Sequence, residues 1–449
     1  MVAILSLIAI ALVWLLLLAG VDPVPTWFYV FAWYPTLVFL DARTSRRFDD
    51  APIFARPKVI VPLLAWSAVI WLLFEAANFR LRNWYYVFLP AQPVERWAGI
   101  ILSFATVVPA VLLAARLFDA AWDGPTTTRR LTIRPWQLRA AMATGMVAGV
   151  LAIAFPQLFF PLIWGAVWLA VDPWLYRRRP EWSLLGDLER GDWSRVTRLL
   201  AGGVVVGFLW EFYNYWALGK WIYTVPWLEA LKLFEMPPFG FVGFPIFALE
   251  AWTLYHAVCA LGLAEPVDVV SRRADAGGKG MGKGAARGRA VLAVTVGVLF
   301  AVVTLLGMER LTISSTVPKL HEVPGLSSAT ANALVAANLE SPFRVAKLSA
   351  NEIAAATGLN LDDAARASDV IRLTLLRGIG AAHAERLIRN GISSVCELSR
   401  SDPLAIWNRF QLHGQVRPTR AEVRVWVRAA ERKCVVPASR LRPSNNPGT

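Results

Sequence analysis

Long apolar blocks alternate with short, arginine-rich polar stretches over the first 310 or so residues. A helix needs roughly 20 apolar residues to cross a bilayer, and by that length the pattern predicts about nine spans. They lie near 2–20, 26–40, 58–77, 97–117, 137–155, 158–175, 198–218, 239–262 and 290–308. The second and sixth are short and broken by proline. The first has no basic residue ahead of it and no small-residue cleavage site, so it reads as a retained span. From about residue 318 apolar positions recur at helical spacing among Ala, Arg and Asn, which predicts a separate soluble helical domain. The fold class expected is therefore all-α: a polytopic transmembrane bundle with a C-terminal soluble domain.

Composition agrees. The chain is 56% hydrophobic and only 17% charged, against about a quarter charged in soluble domains. Many of its 21 Trp sit at the edges of the apolar blocks, where interfacial belts form. The net charge of +14 gathers in particular connections. Stretches 41–58, 119–139 and 172–198 are rich in Arg, and the connections between them are poor in it. That alternation predicts a multi-pass inner-membrane protein with a cytoplasmic N-terminus. An odd span count then places the C-terminal domain on the non-cytoplasmic side.

A polar pattern is written twice. Glu75, Asn78, Trp84 and Tyr86 recur as Glu211, Asn214, Trp221 and Tyr223. Asp41 is followed by Arg46 and Arg47 as Asp172 is by Arg177 and Arg178. The order span, Asp, basic pair, span, Glu-x-x-Asn, Trp-x-Tyr predicts a parallel repeat, 1–130 and 131–270. A basic, Gly-rich loop (271–290) and a last helix (291–308) follow. That loop contains no phosphate-binding loop motif and suits anionic lipid head groups.

The domain expected over 318–435 also holds two copies. Gly325-Leu326-Ser327 and Gly378-Ile379-Gly380 open them, Leu334 matches Leu387, and Leu339 matches Ile392. This region, roughly 318–410, resembles the helix-hairpin-helix family. More closely, it resembles the tandem helix-hairpin-helix domains of unknown function at the ends of assorted bacterial proteins. The resemblance implies that Gly378, Ile379 and Gly380 present backbone N–H groups able to hold a phosphate. Gly325-Leu326-Ser327 lacks the second glycine, and many such modules bind protein instead. Arg420, Arg424, Arg428 and Arg432 follow at intervals of four and form one stripe, either a solvated face or a contact for an anion. The expected partners are the bilayer and a protein or anionic lipid at this domain; nucleic acid enters only if the C-terminus is cytoplasmic. The tail, 436–449, is rich in Pro, Ser and Asn and reads as disordered. Cys396 and Cys434 lie in this region, and spacing does not say whether they pair.

The membrane half offers candidate chemistry in Glu75, Asn78, Glu211, Asn214, Lys220, Glu235, Glu250 and His256. Intramembrane carboxylates are costly and mark function by default. A buried Glu250 needs a partner, and Asn214, Lys220 and His256 are the candidates. Three readings stay open. Glu-x-x-Asn at a span end serves as a hydrogen-bonded tie between helices. Alternatively, Glu211 and Glu250 act as catalytic acids on a lipid-soluble isoprenoid held among aromatics. Or the duplicated bundle is a transporter or channel, although Pro245 is the nearest thing to an interrupted helix. The segments Phe234-Glu235-Met236-Pro237 and Pro93-Val94-Glu95 are similar to small membrane lycopene cyclases, though that family's paired acids are absent at both places. More closely, this half resembles uncharacterised bacterial integral membrane proteins, which implies no activity. Four His and three Cys show no zinc spacing, and no cofactor or soluble-enzyme motif is expected.

Overall fold

A computed structural model describes residues 1–47, 51–121, 130–225, 231–267, 283–412 and 418–434. Most of the basic Gly-rich loop and the whole C-terminal tail lie outside these. The fold is all-α. Among the described residues, eight helices are long and apolar enough to cross a membrane. The chain divides into two compact units, one of Met1–Asn83 with Gln92–Thr312, the other of Trp84–Ala91 with the chain from Ile313.

The first unit opens with α1 (Val2–Ala19), α2 (Val24–Arg47) and α3 (Pro57–Leu81). The second expected span is a 24-residue helix, yet too polar to meet the apolar criterion, because it runs on through Asp41, Arg43, Arg46 and Arg47. Helices α4 (Pro93–Ala105) and α5 (Val107–Ala121) form one apolar stretch with a break at Thr106. Then come α6 (Pro135–Ala154), the single turn α7 (Pro156–Phe159), α8 (Ile163–Arg178), the short α9 (Leu184–Arg190), α10 (Ser194–Trp216), α11 (Gly243–Ala260) and α12 (Lys283–Leu311). Helix α1 packs along α2, α6 along α8, and α10 between α5 and α11. Small residues allow the last of these. A Cβ on Gly202 would lie 2.8 Å from Ala115 N, and one on Gly203 2.6 Å from Pro245 Cα. In lipid such close backbone approach supplies dispersion contacts that the hydrophobic effect does not.

Among the described residues the second unit holds eight α-helices, α13 (Ser328–Ala336), α14 (Pro342–Val345), α15 (Ala350–Thr357), α16 (Leu361–Leu375), α17 (Gly380–Arg389), α18 (Val395–Ser399), α19 (Pro403–Leu412) and α20 (Arg420–Lys433). Side-chain oxygens of Ser327, Ser349, Asn360, Ser394 and Thr419 each accept a backbone N–H of the following first turn, the reason these short helices start where they do. Leu334, Val345, Ile353 and Ile371 fill one small core; Leu387, Phe410, Val423 and Trp426 fill another. Helix α16 contributes to both.

The sequence pattern gives no warning of residues 84–91. They belong to this second unit, where they run beside 313–317 in a parallel pairing. Ser314 N donates to Tyr86 O (2.8 Å) and Val317 N to Leu89 O (3.0 Å). Tyr85 Oη donates to Arg377 O (3.1 Å), and Phe88 meets Phe343 edge-on. Trp84, Tyr85, Tyr86 and Phe88 are all buried, so Trp84 and Tyr86 are not a solvent-edge belt.

Candidate functional site

The repeated polar residues are clasps at helix ends. Asp41 Oδ1 accepts from Ile53 N and Oδ2 from Phe54 N, both at 2.9 Å. Asp172 Oδ1 accepts from Leu184 N (3.1 Å) and Oδ2 from Leu185 N (2.9 Å). In each case the donors lie 12 and 13 residues on. A serine hydroxyl adds a bond to each carboxylate, Ser45 to Asp41 and Ser183 to Asp172. Charge-assisted bonds to backbone N–H are among the stronger ties available to a buried chain.

The Glu-x-x-Asn pairs work at the opposite ends of α3 and α10. Asn78 Oδ1 accepts from Asn83 N (2.8 Å). Asn214 grips the backbone of Trp221 twice, Oδ1 accepting from its N–H (2.9 Å) and Nδ2 donating to its carbonyl (3.0 Å). Each amide thus fastens the chain as it leaves its helix. Glu75 Oε1 accepts from Trp71 Nε1 (3.0 Å), and Glu211 Oε1 from Tyr223 Oη (2.9 Å). Both carboxyls are fully buried.

Glu250 has another role. Helix α8 is broken at Trp164 (ψ 101°) and Gly165 (φ 112°), a backbone open to glycine. The break exposes a new helix start, and Glu250 Oε1 accepts from Gly165 N (2.7 Å) and Val167 N (3.0 Å) there. This corrects the expectation that interrupted helices are lacking. The signal was Pro156, Pro161 and Gly165 within ten residues. The three partners expected for Glu250 reach other atoms. Asn214 holds Trp221, Lys220 Nζ donates to Tyr215 O (2.5 Å), and His256 Nδ1 lies 2.9 Å from Trp252 O with its ring stacked on that indole. Glu235 is buried beyond the end of α10, just after Phe234, whose φ is 58°.

Aromatics fill the space between the carboxyls. Phe74 stacks on Trp164 at 5.6 Å, and Phe247 meets Trp71, Phe74, Trp164 and Trp210. Glu211 Oε2, Glu250 Oε2 and the indole nitrogens of Trp33 and Trp210 are buried without a hydrogen-bond partner. Among the described residues no group of His, Cys, Asp and Glu is arranged to hold a metal ion.

In the second unit, Gly378, Ile379 and Gly380 are buried. Both glycines have positive φ, +74° and +69°. A Cβ on Gly378 would overlap Val87, and one on Gly380 would lie 2.5 Å from Ser315 Cβ. The turn that the sequence offers to a phosphate is thus packed against the chain's own extended segments. At the turn before α13, Ser327 stands where the sequence comparison expects a second glycine, and its hydroxyl caps α13. Arg420, Arg424, Arg428 and Arg432 are all exposed on α20, whose other faces bury Val423, Trp426, Val427 and Ala430. Burial, with the guanidiniums of Arg377 and Arg372, holds the Lys433 ammonium below its ordinary range. No family model, curated protein or solved structure matches this chain.

Proposed function

We propose that this is a multi-pass inner-membrane protein, built from a duplicated four-helix unit, that displays a tandem helix-hairpin-helix domain on the non-cytoplasmic side. There the domain binds a protein partner or an anionic surface through the arginine face of α20. The observation that carries this reading is the membership of Trp84–Ala91 in the same unit as the chain from Ile313. The α3–α4 connection and the domain then share one side of the membrane. Between them lie six apolar helices, Pro93–Phe118, Pro135–Ala154, Pro156–Arg178, Ser194–Trp216, Pro238–Ala260 and Gly288–Leu311, an even number, as a common side requires. The basic stretches 41–58, 119–139, 172–198 and 271–290 all fall on the other side, which is the cytoplasmic side if positive charge stays inside. The duplication is supported by the matched Asp clasps and the matched Asn clasps.

Paired reporters fused after Thr449, one active only outside the cytoplasm and one only inside, test the side. Activity of the inside reporter overturns the reading. A photo-crosslinker in place of Arg424 tests the binding face in intact cells. It should give an adduct that disappears when Arg420 and Arg428 are reversed to Glu. An adduct indifferent to that reversal removes the arginine face from the proposal.

The interrupted α8 favours a second reading, transport. Broken helices with ionisable residues at their ends are how transporters build sites within the bilayer. Flux through vesicles holding the pure protein, unchanged when Glu75, Glu211 and Glu250 are all replaced, would sink it.

A further inference from the structure

Helix α20 begins with a charge at a disadvantage. Arg420 occupies the first helical position, facing the positive end of the helix dipole. Arg420, Arg424, Arg428 and Arg432 repel one another at four-residue spacing. The last turn adds Lys433, close enough to Arg372 and Arg377 for their charges to act on it. The helix is capped by Thr419 and buries one apolar face, Val423, Trp426, Val427 and Ala430. At the end of that turn Cys434 meets Cys396 of α18, with Cα atoms 5.0 Å apart and a sequence separation of 38.

We infer that Cys396 and Cys434 are joined by a structural disulfide made in the non-cytoplasmic compartment, and that this bond keeps the arginine helix seated on its domain. The inference rests on the domain lying outside, since cytoplasmic thiols are kept reduced. The two thiols lose two protons and two electrons to a disulfide-bearing oxidoreductase of that compartment, by thiol–disulfide exchange. The bond closes a long loop and ties down the end of α20 where the cations crowd. Cys259, buried in α11 within the membrane unit, is the third cysteine and stays a thiol.

The test uses the full-length chain taken directly from intact cells, denatured, and treated with a mass-tagging maleimide before and after reduction. Cys259 alone should take a tag before reduction, and all three cysteines after it. Three tags without reduction, together with an outside result from the Thr449 reporters, overturn the disulfide and leave the location standing. One tag with an inside result overturns the compartment. A covalent dimer on a non-reducing gel overturns the intrachain pairing. For the seating role, amide exchange is compared in purified oxidised and reduced chain. Reduction should speed exchange across 420–433 at least tenfold and leave 361–375 unchanged; equal exchange in α20 overturns that role.

Discussion

Replacing Gly378 by alanine tests whether residues 84–91 belong to the C-terminal domain. The glycine has φ +74°, and its α-carbon faces Val87. Two costs follow. A side chain in left-handed backbone costs about 1–2 kcal/mol, and overpacking a filled site typically costs about 1–3 kcal/mol. Gly378→Ala should therefore destabilise the domain by roughly 2–5 kcal/mol, a large share of the 5–15 kcal/mol that holds a typical domain folded. For a unit of this size the loss lowers its melting temperature by roughly 5–20 °C. Gly358 provides the control, having φ +73° with nothing within 4 Å, so Gly358→Ala carries the backbone cost alone. The steric part should be recovered by Val87→Ala in the same chain, and a double-mutant cycle should return a coupling of about 1–3 kcal/mol. Domain unfolding is read in the detergent-solubilised full chain by exchange of residues 320–430. Gly378→Ala no worse than Gly358→Ala, or a cycle additive to about 0.5 kcal/mol, would refute the packing of Val87 on this turn. The shared side of the membrane would fall with it.

Asp41→Ala and Asp172→Ala should each cost roughly 2–4 kcal/mol, because each leaves two backbone N–H groups without their acceptor; markedly unequal losses in chemical denaturation would argue against equivalent clasps. Glu250→Ala should lower folded yield sharply while Glu250→Gln, which keeps an acceptor for Gly165 and Val167, largely preserves it, measured by size-exclusion profile from membranes. His383, buried between Phe410 and Trp426 and beside Arg386, has its imidazole pushed down to about 4, burial being the larger cause. The unfolded chain takes the proton more readily, so this stability is fully present above about pH 6.5 and is lost as pH falls toward 4, by up to about 3 kcal/mol. His383→Asn should flatten that part of the domain's pH–stability curve.

Helix positions were the easiest thing to read, because a run such as Val2–Ala19 or Pro135–Ala154 carries its own signal. Val24–Arg47 was harder: its second half is polar, and only the neighbouring helices make it part of the bundle. The Glu-x-x-Asn pairs stand in the last turns of α3 and α10, but which atoms they bond is not written in the sequence. Asn214 bonds to Trp221, and that contact depends on how the chain turns after α10, which periodicity does not encode. The burial of Tyr85 and Tyr86 is not legible, because partners more than 200 residues away leave no local trace. The break in α8 was visible as Pro161 and Gly165, two weak cues that matter only because Glu250, on another helix, completes the site.

The matched stretches around Asp41 and Asp172 differ where they are not clasped, and that difference bears on function. Asp41 and Asp172, and Asn78 and Asn214, do the same work twice, as expected of groups that merely hold a helix end. The features present once are of another kind. Helix α2 runs unbroken through Pro35, whereas α8 opens at Trp164 and Gly165 and takes the Glu250 carboxylate. The first Trp-x-Tyr segment is drawn into the C-terminal domain, whereas Trp221 and Tyr223 stay with the membrane unit. If duplication supplied a symmetric scaffold, these single-copy departures are where a later activity was added. Replacing the Tyr85-Tyr86-Val87 stretch with the matched Ile222-Tyr223-Thr224 sequence should then leave the bundle folded and unfold the domain. Protease sensitivity confined to residues beyond 313 would be the expected result. Collapse of the whole chain would mean that the first segment is part of the scaffold after all.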